Sequence, residues 1–200
     1  MFTDFRQKPS ILISSILLLT ITLVLDLIGC GDDDEWTNPS HVPTYFSGPR
    51  PRNIAHRGGA GLFPENTIFA FEQALELGTQ ILETDVRGTG DNVLVLLHDE
   101  DLSRTTDGRG RVKKRSLKYI KGLDAGYWFS PDGGQTYPYR DLGITVPTLE
   151  EVFIRFPYGR FNIEIKQETP PIVEKVLDNY YTILFHLTRF KYLPIVSCLS

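Results

Sequence analysis

Ile81-Leu82-Glu83-Thr84-Asp85-Val86-Arg87 places two carboxylates at i and i+2 inside an apolar stretch. In a β-strand successive side chains alternate faces, so Glu83 and Asp85 point the same way. Two like charges side by side repel unless a cation sits between them, and hard divalent cations such as Mg²⁺ or Ca²⁺ prefer carboxylate oxygens. Taken alone, the pair suits equally an edge strand whose two acids are solvated. The residues on either side decide between these readings.

Upstream, Asn53-Ile54-Ala55-His56 reads as a short strand running into His56-Arg57-Gly58-Gly59-Ala60-Gly61. Glycines let backbone approach a ligand closely, and Arg57 offers a two-pronged fork to a phosphate. Pro64-Glu65-Asn66-Thr67 opens a helix, with Asn66 as its expected N-cap. Ile68, Phe71, Ala74 and Leu75 supply the apolar stripe, and Gly78 the stop.

Downstream, Asp91-Asn92 marks a turn. Val93-Leu94-Val95-Leu96-Leu97 is a continuous apolar run, expected to be a strand buried on both faces as in parallel sheets, and it ends in His98-Asp99. Ser116 begins a short helix. Residues 126–147, rich in Gly, Pro, Tyr and Asp, read as a long ordered loop in which Tyr127-Trp128-Phe129 is packing. Thr148-Leu149-Glu150-Glu151 is a capping box. Phe161-Asn162-Ile163-Glu164-Ile165-Lys166 is the next strand, with Asn162, Glu164 and Lys166 on one face. Thr169 is expected to cap a helix that carries Pro170 at its first position and runs to about residue 190, before Ile195-Val196 starts a further strand.

Strands separated by helices argue for an α/β fold with a parallel sheet. His56, Arg57, Glu83, Asp85, His98, Glu164 and Lys166 all fall at or near the carboxyl ends of expected strands. In a βα barrel those ends gather at one rim, where chemistry is built.

The 200-residue chain carries a formal net charge of −4 and is 41% hydrophobic, enough for one domain with a sizeable core. No basic excess is large enough to wrap nucleic acid, so an anionic substrate would be held by local cations. Arg6 and Lys8 precede an apolar run over 11–25, too short for a spanning helix of ~20 apolar residues. Leu27-Ile28-Gly29-Cys30 resembles the bacterial lipobox, which implies acylation of Cys30; an uncleaved signal anchor is the other reading. Residues 1–29 are then a lipoprotein signal peptide. Residues 30–51, with Asp32-Asp33-Asp34-Glu35 and Pro39, Pro43, Pro49 and Pro51, form an extended tether, and 52–200 form the domain. The expected location is the bacterial cell envelope, lipid-anchored and facing the periplasm or exterior. Cys198 is left as a lone thiol.

His56-Arg57-Gly58, Pro64-Glu65-Asn66-Thr67, Glu83-Thr84-Asp85, His98-Asp99, Arg104-Thr105-Thr106-Asp107-Gly108 and Glu164-Ile165-Lys166 resemble, in order and spacing, the glycerophosphodiester phosphodiesterase family. The resemblance implies a TIM-type (β/α) barrel. A complete barrel takes about 250 residues, so the expectation for 52–200 is one that stops after its fourth or fifth strand. It also implies metal-dependent hydrolysis of a small phosphodiester to glycerol 3-phosphate and an alcohol. Glu83, Asp85 and Glu164 would hold Mg²⁺ or Ca²⁺, His56 and His98 would be the acid–base pair, and Arg57 and Lys166 would bind phosphate. Which histidine is the acid stays open, as does attack by water or by the glycerol 2-hydroxyl. Two other readings stand beside it: a catalytically inactive lipoprotein of the same family, and a phospholipase D-like relative acting on intact lipid. Several acyl chains on one cysteine anchor stably, so the full-length protein is expected in the detergent phase of a Triton X-114 extraction and the Cys30→Ser variant in the aqueous phase. A Cys30→Ser protein that stayed membrane-bound at the wild-type level would contradict the anchor.

Overall fold

A computed structural model describes residues 52–188 and 195–199 of the chain. Residues 1–51, with the signal peptide and tether expected from the sequence and Cys30, lie outside them. In chain order the elements are β1 (Ile54–Ala55), α1 (Ile68–Glu76), β2 (Ile81–Gly88), β3 (Leu94–Leu96), α2 (Leu117–Lys121), α3 (Leu149–Arg155), β4 (Arg160–Ile165), α4 (Val173–Thr188) and β5 (Ile195–Leu199). The sheet order is β1-β2-β4-β5, all parallel, with β3 added antiparallel to the end of β2.

Register divides this sheet into two unlike faces. β2 and β4 pair with Leu82 opposite Phe161, Thr84 opposite Ile163 and Val86 opposite Ile165. These residues pack with Phe71, Phe153 and Phe156 under the helices, all but Thr84 within one apolar cluster or against it. The Phe161 ring lies edge-on to Phe71 and Phe153 at 6.3 and 5.6 Å between centroids, in the geometry that aromatic quadrupoles favour. The alternate residues, Glu83 opposite Asn162 and Asp85 opposite Glu164, occupy the other face. One strand pair thus builds the core on one side and collects charge on the other.

The apolar run 93–97 is buried on both faces, as the sequence implies, but it does not join the parallel set. Leu94 and Leu96 enter the cluster under the helices, while Val95 and Leu97 enter a second cluster with Leu102, Val112, Ile120 and Val146. A parallel partner needs a crossover of a dozen or more residues. Only 89–93 separate the two strands, and they make a tight turn: Asn92 sits at φ 69° and the Asn92 amide donates to Thr89 O at 3.1 Å. The strand therefore folds back antiparallel, and the described parallel strands number four: β1, β2, β4 and β5.

Two helix starts also shift. The α1 cap is Thr67, whose hydroxyl accepts from the Ala70 amide at 3.1 Å, and not Asn66. Helix α4 begins at Val173, not at Pro170. The carbonyls of Thr169 and Pro170 are instead taken by Lys113 Nζ at 3.3 Å and Gln167 Nε2 at 3.0 Å, which leaves this stretch as a turn. The capping box at Thr148 and Glu151 is present with both of its bonds, and Ser116 caps α2. The aromatics of the loop over 126–147 gather on Arg140, whose guanidinium lies over the rings of Tyr127 and Tyr137 at 4.0 and 4.1 Å, while Trp128 beside them stays exposed. Because Phe161 is fully buried against three other phenylalanines, Phe161→Ala is expected to lower unfolding free energy by about 3–5 kcal/mol in a urea melt. A loss under about 1 kcal/mol would contradict this packing.

Candidate metal and phosphate site

The charged face of the sheet converges because of two local rules. Parallel neighbours lie ~4.8 Å apart, and same-face side chains repeat every second residue. With Asp85 beside Glu164 in register, ligand oxygens of Glu83, Asp85 and Glu164 all come within 4.8 Å of one another. Glu83 and Asp85 are buried and Glu164 is partly exposed. Burial pushes the Glu83 carboxyl up from its ordinary value, and the neighbouring Asp85 and Glu164 charges push the same way. Glu164 is held below its ordinary value by its hydrogen bond from Lys166.

The turn after β1 supplies positive groups to this cluster. Arg57 adopts a left-handed conformation (φ 53°), uncommon for a residue with a Cβ, and it aims its backbone N–H at Glu83 Oε2, 2.6 Å away. Gly58 follows at φ 76°, where a Cβ would stand 2.6 Å from the Phe71 ring, so the turn admits only glycine there. Arg57 Nε lies 3.3 Å from Asp85 Oδ2, and Lys166 Nζ lies 3.5 Å from Asp85 Oδ1. His56 is exposed at the same turn, near enough for its charge to favour ionised Glu83.

His98 reaches the site by a different route from the one its sequence position suggests. It does not stand at the carboxyl end of a parallel strand. The β2–β3 hairpin reverses the chain, and the Leu97 amide donates to Asp85 O at 3.0 Å, so the reversed strand delivers His98 back to the level of Asp85. His98 Nδ1 is 2.7 Å from Asp99 Oδ1, which leaves Nε2 for other partners.

Two further residues support the site that pattern reading placed elsewhere or left without a role. Asn66 is buried at φ 57° and spends its amide on β2: Nδ2 donates to Asp85 Oδ2 at 2.9 Å, and Oδ1 accepts from the Thr84 hydroxyl at 2.8 Å and the Asp85 amide at 3.2 Å. Arg104 donates to Asp99 through Nε and grips Glu65 with both terminal nitrogens at 2.6 and 2.9 Å; Glu65 in turn sits 3.3 Å from Arg57. A continuous charged chain therefore runs His98–Asp99–Arg104–Glu65–Arg57. Asp99 is pulled down to about 2, chiefly by the Arg104 hydrogen bond. Burial alone would raise the Glu65 carboxyl, but the bonds from Arg104 and the charges of both arginines outweigh it and hold the pKa low. The signal for both residues lay in the motif stretches 64–67 and 104–108, though no spacing rule reveals their partners.

All the candidate residues of the domain thus meet at one rim, with Cys30 alone outside the described residues. The donor set is all oxygen, and Asp85 Oδ1 is buried without a hydrogen-bond donor. A buried carboxylate oxygen that makes no hydrogen bond, has the Lys166 ammonium 3.5 Å away and faces two further carboxylates is what a hard divalent cation would satisfy. The residues fit such an ion.

Comparison with known proteins agrees with this geometry. The model of the glycerophosphoryl diester phosphodiesterase family matches residues 56–192. A Bacillus subtilis glycerophosphodiester phosphodiesterase is 41% identical over 134 residues, covering 66% of this chain and 46% of that protein. The glycerophosphoryl diester phosphodiesterase domain of an uncharacterised Mycobacterium tuberculosis protein superposes with a TM-score of 0.61 at 27% identity, over 75% of this chain and 53% of that one. A phosphodiesterase of Oleispira antarctica, solved with its product sn-glycerol 3-phosphate, does so with a TM-score of 0.53 at 34% identity, over 75% and 58%. These neighbours are TIM-type barrels, and the described strands form part of such a barrel. The chain spans about half the length of the curated relatives it matches.

Because Glu65 has a depressed pKa in the folded state, the stability it contributes is present above the ordinary glutamate value of about 4.3 and is lost as pH falls below it. Glu65→Gln is expected to lower the melting temperature at pH 7, with the gap from wild type closing as pH is taken down through about 4 and below. A constant gap across that window would show that the carboxylate charge is not what matters.

Proposed function

This chain belongs to the glycerophosphoryl diester phosphodiesterase family, and on that premise we propose that it hydrolyses glycerophosphodiesters to glycerol 3-phosphate and an alcohol. The observation that carries the reading is the meeting of Glu83, Asp85 and Glu164 within 4.8 Å beside Arg57 and Lys166. Glu83, Asp85 and Glu164 would hold one divalent ion, Mg²⁺ or Ca²⁺. Such an ion supplies Lewis acidity, polarising a phosphoryl oxygen and offsetting the charge that gathers in the transition state.

The chain's own side chains do the remaining work. Arg57 and Lys166 neutralise the substrate phosphate and fix its orientation, Arg57 with a planar fork and Lys166 as a point charge. His98, its Nδ1 tied to Asp99, and His56, at the open edge of the same turn, divide the proton transfers. One takes a proton from the attacking oxygen, and the other gives one to the leaving alkoxide; the attacker is water itself, or the glycerol 2-hydroxyl with water then opening the cyclic phosphate. Asn66 keeps Asp85 from rotating out of the cluster. The Leu-Ile-Gly-Cys stretch ending at Cys30 supports a lipid anchor that would hold this domain at the bacterial envelope, facing the periplasm or exterior.

The test is release of glycerol 3-phosphate from glycerophosphocholine. Chelator is expected to abolish it and Mg²⁺ or Ca²⁺ to restore it, and Glu83→Ala to lower kcat/KM at least about a hundredfold. Full activity in Glu83→Ala, or in chelator, would contradict the proposal.

A further inference from the structure

The charged face of β2 does not end at Asp85. Arg87 is the next residue on that face, about 6–7 Å further along the strand. Together with Lys113, Lys166, Glu164, Glu100 and Glu168 it lines a cleft of about 430 Å³, room for a small polar group. The cleft shares Glu164 with the carboxylate cluster and Lys166 with its cations.

Its lining carries three cations and three carboxylates, and the two cations away from the cluster are the less engaged of these. Arg87 is half-buried and spends only Nε, on the His98 carbonyl at 2.8 Å. Among the described residues no carboxylate lies within ion-pair distance of its guanidinium, although Glu100, Asp99 and Asp85 are near enough to act on its charge, and its terminal nitrogens have no hydrogen-bond acceptor. Lys113 is also half-buried, and its one bond goes to the Thr169 carbonyl, not to an acid. The two acids of the outer cleft are exposed, and Glu100 already stands 3.7 Å from Arg111. Two half-buried cations with unused donors, beside one solvated and one paired acid, favour a negative ligand.

Resting on the function proposed above, we infer that Arg87 and Lys113 form a leaving-group subsite for alcohols that carry an acidic group two or three carbons from the phosphate oxygen. A carboxylate at that reach meets the Arg87 fork while the phosphate is held by Arg57 and Lys166. Neutral or purely cationic alcohols would leave both cations unsatisfied.

Glycerophosphoserine and glycerophosphoethanolamine differ by one carboxylate and share the ammonium, so they isolate the feature. Calorimetric binding of each diester to the full-length protein, with Mg²⁺ present, is measured beside the hydrolysis rates. The serine diester is expected to bind about tenfold more tightly and to show the higher kcat/KM, and Arg87→Gln to collapse the ratio to near one. Lys113→Gln, in the same cleft, should lower it partway and serves if the Arg87 variant does not fold. Equal affinity for the two diesters, or a preference kept in both variants, overturns the subsite. A preference in binding that depends on Arg87 without hydrolysis of either diester upholds the subsite and refutes the enzymatic reading instead.

Discussion

The structure depends on one electrostatic constraint: three carboxylates on two adjacent parallel strands are forced into a space where they cannot all stay charged without positive company. Strand register sets this, because Asp85 faces Glu164 and Glu83 precedes Asp85 by two residues. At an effective dielectric of about 20, unit charges 4 Å apart repel by about 4 kcal/mol. A domain whose whole margin is about 5–15 kcal/mol does not keep such a cluster without compensation. The nearby cations answer part of it. Arg57 reaches Asp85 through its side chain and Glu83 through its backbone, and Lys166 reaches Glu164 and Asp85. Asp85 Oδ1 still has no hydrogen-bond donor, and that unmet demand is the physical case for an ion.

Much of the surrounding architecture serves to hold this cluster. The phenylalanines packed on the opposite face fix β2 against β4 and so fix the register. The left-handed turn at Arg57 is a conformation a free peptide would avoid, and it is kept by Gly58 lying against Phe71 and by the Glu83 carboxylate on the Arg57 amide. The chain of pairs from His98 to Arg57 joins segments distant in sequence, since Glu65 and Arg104 are 39 residues apart. It therefore ties the hairpin to the first turn at the point where both deliver a histidine.

The period-two alternation of Glu83 and Asp85, and of Glu164 and Lys166, was legible without coordinates because a strand leaves no other option for which face each side chain takes. The direction of the run 93–97 was not. Burial on both faces produces the same apolar pattern in a parallel strand and in a hairpin arm covered by a second cluster, and only the short turn at 89–93 separates the two. Asn66 was misplaced for a related reason. Asn and Thr are both good caps, and its recruitment to Asp85 is a tertiary event invisible to local propensity. The reach of Arg104 to both Asp99 and Glu65 likewise needed coordinates, since arginine length permits many partners and sequence chooses none.

The central claim is that Glu83, Asp85 and Glu164 grip a single divalent ion. Electron paramagnetic resonance of Mn²⁺ titrated into the folded, metal-stripped protein tests it most directly, because free and bound Mn²⁺ give distinct signals. The account predicts one tight site per chain, displaced by Mg²⁺ or Ca²⁺ and lost in Asp85→Asn. A free-ion signal that rises from the first addition, or a site that survives Asp85→Asn unchanged, would contradict it.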